Sequence, residues 1–176
     1  MKVLNIPGWK NSDKGHWQSL WETSDHSVFT RIEQDDWDNP KKDEWVPKIA
    51  QAIQSAGPEV LITAHSIGVA AFIHAVQEYD IKVKGALLVA PSDAEKPGYP
   101  KEITGFAPIP RIKLPFRSIV VASGNDPAVH ITRATEFAID WGSTLYVLKE
   151  AGHIETKSGY GEWFEGLRLL KSLTQK

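Results

Sequence analysis

The sequence predicts an α/β protein: a three-layer α/β/α sandwich around a mainly parallel sheet of about six strands. Two features predict it. Short apolar runs alternate with segments of helical spacing along the whole chain. Several of those runs are apolar on consecutive residues, as expected of strands that helices cover on both faces.

The first run, residues 2–6, stops at Pro7 and Gly8, and helical spacing follows over 17–22. A second run at 28–32 leads to a helix over 43–55, and a third at 59–63 leads to a helix over 67–79. Then come runs at 85–90 and 118–122, a helix over 131–141, a run at 144–148 and a final helix over 161–173. The runs at 60–63, 86–90 and 119–122 belong at the centre of the sheet. Strand, helix, strand in succession implies right-handed crossovers and parallel neighbours. Residues 91–115 interrupt the alternation, because Pro97, Pro100, Pro108 and Pro110 break any regular element. A connection this long either walls a substrate pocket or is a surface excursion without a role.

Composition removes whole classes of function. The chain has 176 residues, 41% of them apolar, and a formal charge of -2. One domain covering residues 1–176 is expected, and a chain of this length buries roughly 70% of its unfolded surface. Nothing in the charge suggests a nucleic acid partner. There is no cysteine, which excludes disulfides, thiolate nucleophiles and sulfur-bound metal. The N-terminus lacks the apolar stretch of a secretory signal. The uncharged segment 60–76 is shorter than a typical membrane span and contains His65, Ser66, Gly68 and His74. No membrane association and a cytoplasmic location are the expectation.

The segment VLITAHSIGVAAF sets Ser66 directly after an apolar strand and before a helix. A nucleophile elbow needs that context. Its usual pattern is G-x-S-x-G; here Ala64 replaces the first glycine and Gly68 supplies the second, relieving crowding two residues either side of the serine. The following helix directs its N-terminal amides at the turn, so the Ile67 N–H is a candidate oxyanion donor. A second donor belongs on the loop after the first strand, where Gly8 permits close backbone approach and Trp9 offers its N–H. Gly8, Trp9 and His65 are the candidate substrate contacts. The alternative for Ser66 is a plain helix N-cap.

A serine hydroxyl needs a positioned base, and the base needs an orienting group. In a serine-elbow fold the acid and then the histidine follow the serine, each at the end of a later strand. After SIVVAS comes GNDPA, with Asp126; after TLYVLKE comes AGHIE, with His153. Taken alone, Asp126 reads equally as a turn-forming residue and His153 as an ordinary loop histidine. Together, in the required order and at successive strand ends, they form a candidate triad Ser66, Asp126 and His153. His26, His74 and His130 find no second ligand at metal spacing, so no metal and no cofactor are expected.

These motifs resemble a known group, the small α/β-hydrolases related to retinoblastoma-binding protein nine and the bacterial YdeN-like serine hydrolases. The likeness runs through PGWKNSDKGHWQSLWE, QDDWDNPKKDEWVPKI, TAHSIG, GALLVAPSD, PIPRIKLPFRSIVVASGNDP, WGSTLY and AGHIETKSGYGEW. It implies a compact α/β-hydrolase fold without a large lid domain, and it carries the triad over to Ser66, Asp126 and His153. It also implies hydrolysis of a small carboxylic ester or related acyl compound. Glu155 stands where relatives often have asparagine, and Phe164 where proline is common. The retinoblastoma-binding segment of the mammalian relative contains cysteine, so no such partner is expected here.

The reading is therefore a metal-independent, esterase-like serine hydrolase. Its alternatives are a hydrolase-fold interaction protein with weak catalysis, and a thioesterase or acyltransferase on the same triad. Trp17, Trp21, Trp37, Trp45, Trp141 and Trp163 read as packing residues. His16 either orders the loop after the first strand or starts a helix.

Overall fold

In the computed structural model, residues 2–175 are described. Six strands, β1 (Val3–Ile6), β2 (Phe29–Arg31), β3 (Leu61–His65), β4 (Gly85–Val89), β5 (Ser118–Ser123) and β6 (Thr144–Leu148), form one sheet. Their order is β2-β1-β3-β4-β5-β6 and every neighbouring pair is parallel. The helices are α1 (Trp17–Ser24), α2 (Lys42–Ala56), α3 (Ile67–Glu78), α4 (Ile131–Trp141) and α5 (Phe164–Ser172), with a 3₁₀ turn at Thr156–Ser158. None of the described helices is long and apolar enough to cross a membrane.

The consecutive apolar residues of the strands divide by parity, because side chains alternate between the two faces. Leu4, Ile6, Ile62, Ala64, Ala86, Leu88, Val120 and Ala122 pack with α2, α3 and α4 around Trp45, Phe72, Phe137 and Trp141. Val3, Leu61, Leu87, Val89, Ile119 and Val121 pack on the other face with Trp17, Trp21, Trp163 and Leu170. Two cores, one on each face, explain why these strands read as unbroken apolar runs. Trp37 is partly buried against the first core.

Most elements lie within two residues of their expected bounds. Strand β3 starts at Leu61 rather than 59, because Pro58 and Glu59 belong to a turn in which the Val60 N–H donates to Gly57 O. Helix α5 begins at Phe164 rather than 161, because Gly159 closes the 3₁₀ turn and the Tyr160 N–H returns to Glu155 O.

Residues 91–115 are packed against the body. Phe106, Ile109 and Leu114 are buried, the Trp141 indole N–H donates to Pro110 O at 2.9 Å, and the Thr104 N–H donates to Pro40 O. His74 Nε2 lies 3.0 Å from Phe106 O. Ser92, Tyr99, Pro100 and Ile103 wall a cleft over the carboxyl ends of the strands. The first half of the segment, 92–103, therefore borders the cleft, and the second half packs into the core through Phe106, Ile109 and Leu114.

Candidate active site

Ser66 stands between β3 and α3 with φ 56° and ψ -127°, a backbone region that a non-glycine residue occupies only under strain. Its N–H donates to Val89 O at 3.0 Å, which ties the turn to β4. The strain is possible because of the glycines. A β-carbon on Gly68 would lie 2.4 Å from Pro7 O and 2.6 Å from Ile6 O, so only glycine lets α3 start this close to the end of β1.

Ser66 makes no side-chain cap bond to its helix. Its Oγ lies 2.8 Å from His153 Nε2. On the far side of the ring, His153 Nδ1 lies 2.9 and 3.0 Å from the two Asp126 carboxylate oxygens. The Asp126 side chain is fully covered. A carboxylate only accepts, so Nδ1 carries the proton and Nε2 offers its lone pair to the serine hydroxyl. Asp126 is also the turn residue that its local sequence suggests: its Oδ1 accepts the Ala128 N–H at 2.8 Å. The three side chains predicted from separate loops meet at one edge of the sheet.

Ile67 follows Ser66 at the start of α3 and Trp9 lines the same cleft as Ser66; among the described residues neither backbone N–H donates to a protein acceptor. The Trp9 ring is held by its indole N–H on Asp38 O at 2.8 Å. Gly8 is buried against Ser66. His65 packs beneath His153, with ring centroids 4.9 Å apart, and its Nε2 lies 2.9 Å from His153 O. His16 caps α1, its Nδ1 accepting the Gln18 N–H, and its ring packs 4.8 Å from His65. Burial pushes the His16 imidazole down to about 4 and that of His65 well below its ordinary value, so both are neutral at physiological pH.

The cleft at Ser66 has two lobes that share Trp9, Ser66, His153 and Glu155. The larger, about 430 Å³, is walled by Tyr99, Pro100, Ile103, Pro127 and Ala128, with Ser92 hydrogen-bonded to the Tyr99 hydroxyl at 2.7 Å. The smaller, about 170 Å³, is bordered by Gly8, Asn11, Asp13, His16 and His65 and is the more polar. Among the described residues no group of three or more His, Asp or Glu side chains is gathered to hold a metal ion. A separate groove of about 310 Å³ between α1 and α5, lined by Trp21, Trp163 and Phe164, contains none of the residues around Ser66.

A family model described as serine hydrolase matches residues 3–172. The chain belongs to the serine hydrolase family. Among solved structures, this hydrolase is 32% identical to a protein of Pectobacterium atrosepticum described as YdeN-like, with a TM-score of 0.86, covering 99% of this chain and 90% of that one. It shares its fold with the ydeN gene product of Bacillus subtilis, at 16% identity and a TM-score of 0.81, with 99% of each chain covered. The Bacillus cereus carboxylesterase has the same fold at 13% identity and a TM-score of 0.59, covering 98% of this chain and 86% of that one. No curated protein matches.

Two residues that sequence reasoning passed over also stand at the site. Ser123 and Asn125 flank Gly124 immediately before Asp126 and hydrogen-bond to the loop that carries His153. Their signal was adjacency to Asp126 alone.

Proposed function

We propose that the protein hydrolyses a small carboxylic ester or related acyl compound by two-step acyl transfer, with Ser66 as nucleophile, His153 as general base and Asp126 orienting the imidazole. The observation that carries the reading is the continuous hydrogen-bonded line from Ser66 Oγ through the His153 ring to Asp126.

As Ser66 Oγ attacks the carbonyl carbon, its proton passes to His153 Nε2, and Asp126 stabilises the imidazolium that forms. Negative charge gathers on the carbonyl oxygen, where the Ile67 and Trp9 N–H groups receive it. A donor of this kind is worth about 3 to 4 kcal/mol in the transition state. His153 then gives the proton to the departing oxygen, leaving Ser66 acylated. Water, activated by the same imidazole, releases the acid and restores the serine. Every proton in the cycle passes through His153 Nε2, so the chemistry is metal-independent.

The two lobes suggest the shape of the substrate. The larger lobe suits an apolar chain lying along Tyr99, Pro100 and Ile103, and the smaller suits a compact polar group. An ester that is apolar on one side and small and polar on the other fits both.

Labelling with a fluorophosphonate tests the assignment. The folded protein should be modified on Ser66, and Ser66→Ala should abolish both labelling and ester turnover. An unmodified parent protein, or equal turnover by Ser66→Ala, would overturn it.

A further inference from the structure

The loop that carries His153 is held in an unfavourable backbone conformation. Gly152 has φ 54° and Ile154 has φ 52°. A β-branched residue at positive φ is a true outlier, and such a residue persists only where its surroundings over-determine it. Ile154 itself is held by its N–H on Ala151 O and by the Trp17 indole N–H on its carbonyl, each at 3.0 Å, and the residues just before it are held from the turn after β5. The Ala151 N–H donates to Ser123 Oγ at 2.9 Å, the Ser123 hydroxyl donates to Asn125 Oδ1 at 2.8 Å, and the Gly152 N–H donates to the same Oδ1 at 2.7 Å. A backbone N–H can only donate, so the Asn125 atom facing Gly152 is the amide oxygen. The serine hydroxyl accepts from Ala151 and spends its own proton on that oxygen. Every donor and acceptor in the ring is matched.

A second arm comes from β3. His65 Nε2 lies 2.9 Å from His153 O, and since a carbonyl only accepts, that nitrogen carries the proton. Ala151, Gly152 and His153 are thus each fixed by a separate bond, the first two from the end of β5 and the third from the end of β3. One four-residue turn, 123–126, holds the histidine twice: by its backbone through Ser123 and Asn125, and by its ring through Asp126.

We propose that Ser123 and Asn125 are positioning residues, which clamp the strained 151–154 loop so that the His153 ring stays between Asp126 and Ser66; His65 is the opposing arm. The proposal rests on the reading of His153 as the base. Its physical content is that loop and carboxylate move as one body. Without the clamp the loop can relax toward ordinary backbone angles, and Nε2 leaves the serine. A misplacement of about 1 Å in a reacting group can cost about 100-fold in rate.

The test uses the full chain with Asn125→Ala, Asn125→Asp and Ser123→Ala, each checked by thermal melting to be folded at the assay temperature. Hydrolysis of p-nitrophenyl butyrate gives kcat and KM, and a fluorophosphonate gives the labelling rate. Asn125→Ala should lower kcat and the labelling rate by about 100-fold, with KM changed by no more than about twofold. Asn125→Asp retains an oxygen that accepts from both Ser123 and Gly152, so it should recover most of the lost kcat. A merely structural residue would instead lower the melting temperature without this split and without rescue. If Asn125→Ala does not fold, Ser123→Ala carries the test through its labelling rate. A parent protein that is labelled, beside a folded Asn125→Ala or Ser123→Ala variant with undiminished kcat and labelling, overturns the clamp alone. A parent protein that is not labelled overturns the site assignment, and the clamp with it.

Discussion

A β-carbon placed on Gly8 would stand 2.8 Å from the β-carbon of Ser66 and 3.1 Å from the carbonyl oxygen of His65. Neither neighbour is the free end of a flexible side chain, so something in the backbone would have to move. The loop after β1 lies against the serine turn only because residue 8 has no side chain. Gly8→Ala should therefore displace the Trp9 N–H, the second oxyanion donor we propose, and lower kcat for a p-nitrophenyl ester by about 10²-fold. Active-site titration beside the kinetics checks this, since the loss should appear in turnover per folded molecule.

Asp126→Asn tests the tautomer. The substituted amide can still accept the Ala128 N–H through its oxygen, which leaves its NH₂ facing His153 Nδ1. The ring would then carry its proton on Nε2, where it cannot take the one on Ser66. Turnover should fall by about 10³- to 10⁴-fold, as loss of the correct tautomer does in other serine hydrolases. Circular dichroism should show an unchanged fold.

Two buried imidazoles make stability depend on pH. Burial holds His16 at about 4 and His65 well below its ordinary value, whereas both titrate near 6.5 in the unfolded chain. Between these values the unfolded chain binds protons that the folded chain refuses. Stability is therefore full above about pH 6.5 and is lost as the pH falls toward 4. His16 alone should remove about 2 kcal/mol between pH 7 and pH 5. Urea unfolding at the two pH values measures the drop. His16→Asn, which keeps a capping oxygen for the Gln18 N–H, should reduce the slope.

The larger lobe should set chain-length preference. Ile103 stands on its wall with Tyr99 and Pro100, and Ile103→Trp would fill part of that space. The ratio of kcat/KM for a p-nitrophenyl octanoate over the acetate should fall by about tenfold or more, since each excluded methylene forfeits about 0.8 kcal/mol of burial. An unchanged ratio would place the chain elsewhere.

One pair of alternatives that looked exclusive in the sequence turns out to coexist. Asp126 is both a turn-former and the partner of His153, because one carboxylate has lone pairs enough for an N–H on each side. His16 resolved toward the helix start: its Nδ1 accepts the Gln18 N–H, while its buried Nε2 bonds to nothing among the described residues and so does not tie down the loop after β1. Ser66 resolved the other way: it precedes α3, but its hydroxyl goes to His153 and not to its own helix. His65, expected among the substrate contacts, borders the smaller lobe while its Nε2 engages the backbone of His153.

Local chemistry decided what could be read along the chain. The bounds of α4 and β6 were legible to the residue because periodicity and flanking turns are properties of neighbours. The loops bearing Ser66, Asp126 and His153 were legible for the same reason, as polar residues set just past apolar runs. What only the tertiary structure decided is which groups meet across strand ends: the oxygen of Asn125 on Gly152, the ring of His65 on His153, and the faces of Tyr99 and Ile103 turned to the cleft. Those contacts depend on the order β1-β3-β4-β5-β6 and on the register of each parallel pair. A hydrogen bond between residues 27 or 88 positions apart leaves no periodic trace in the sequence, since its strength depends on distance and angle in space and not on separation along the chain.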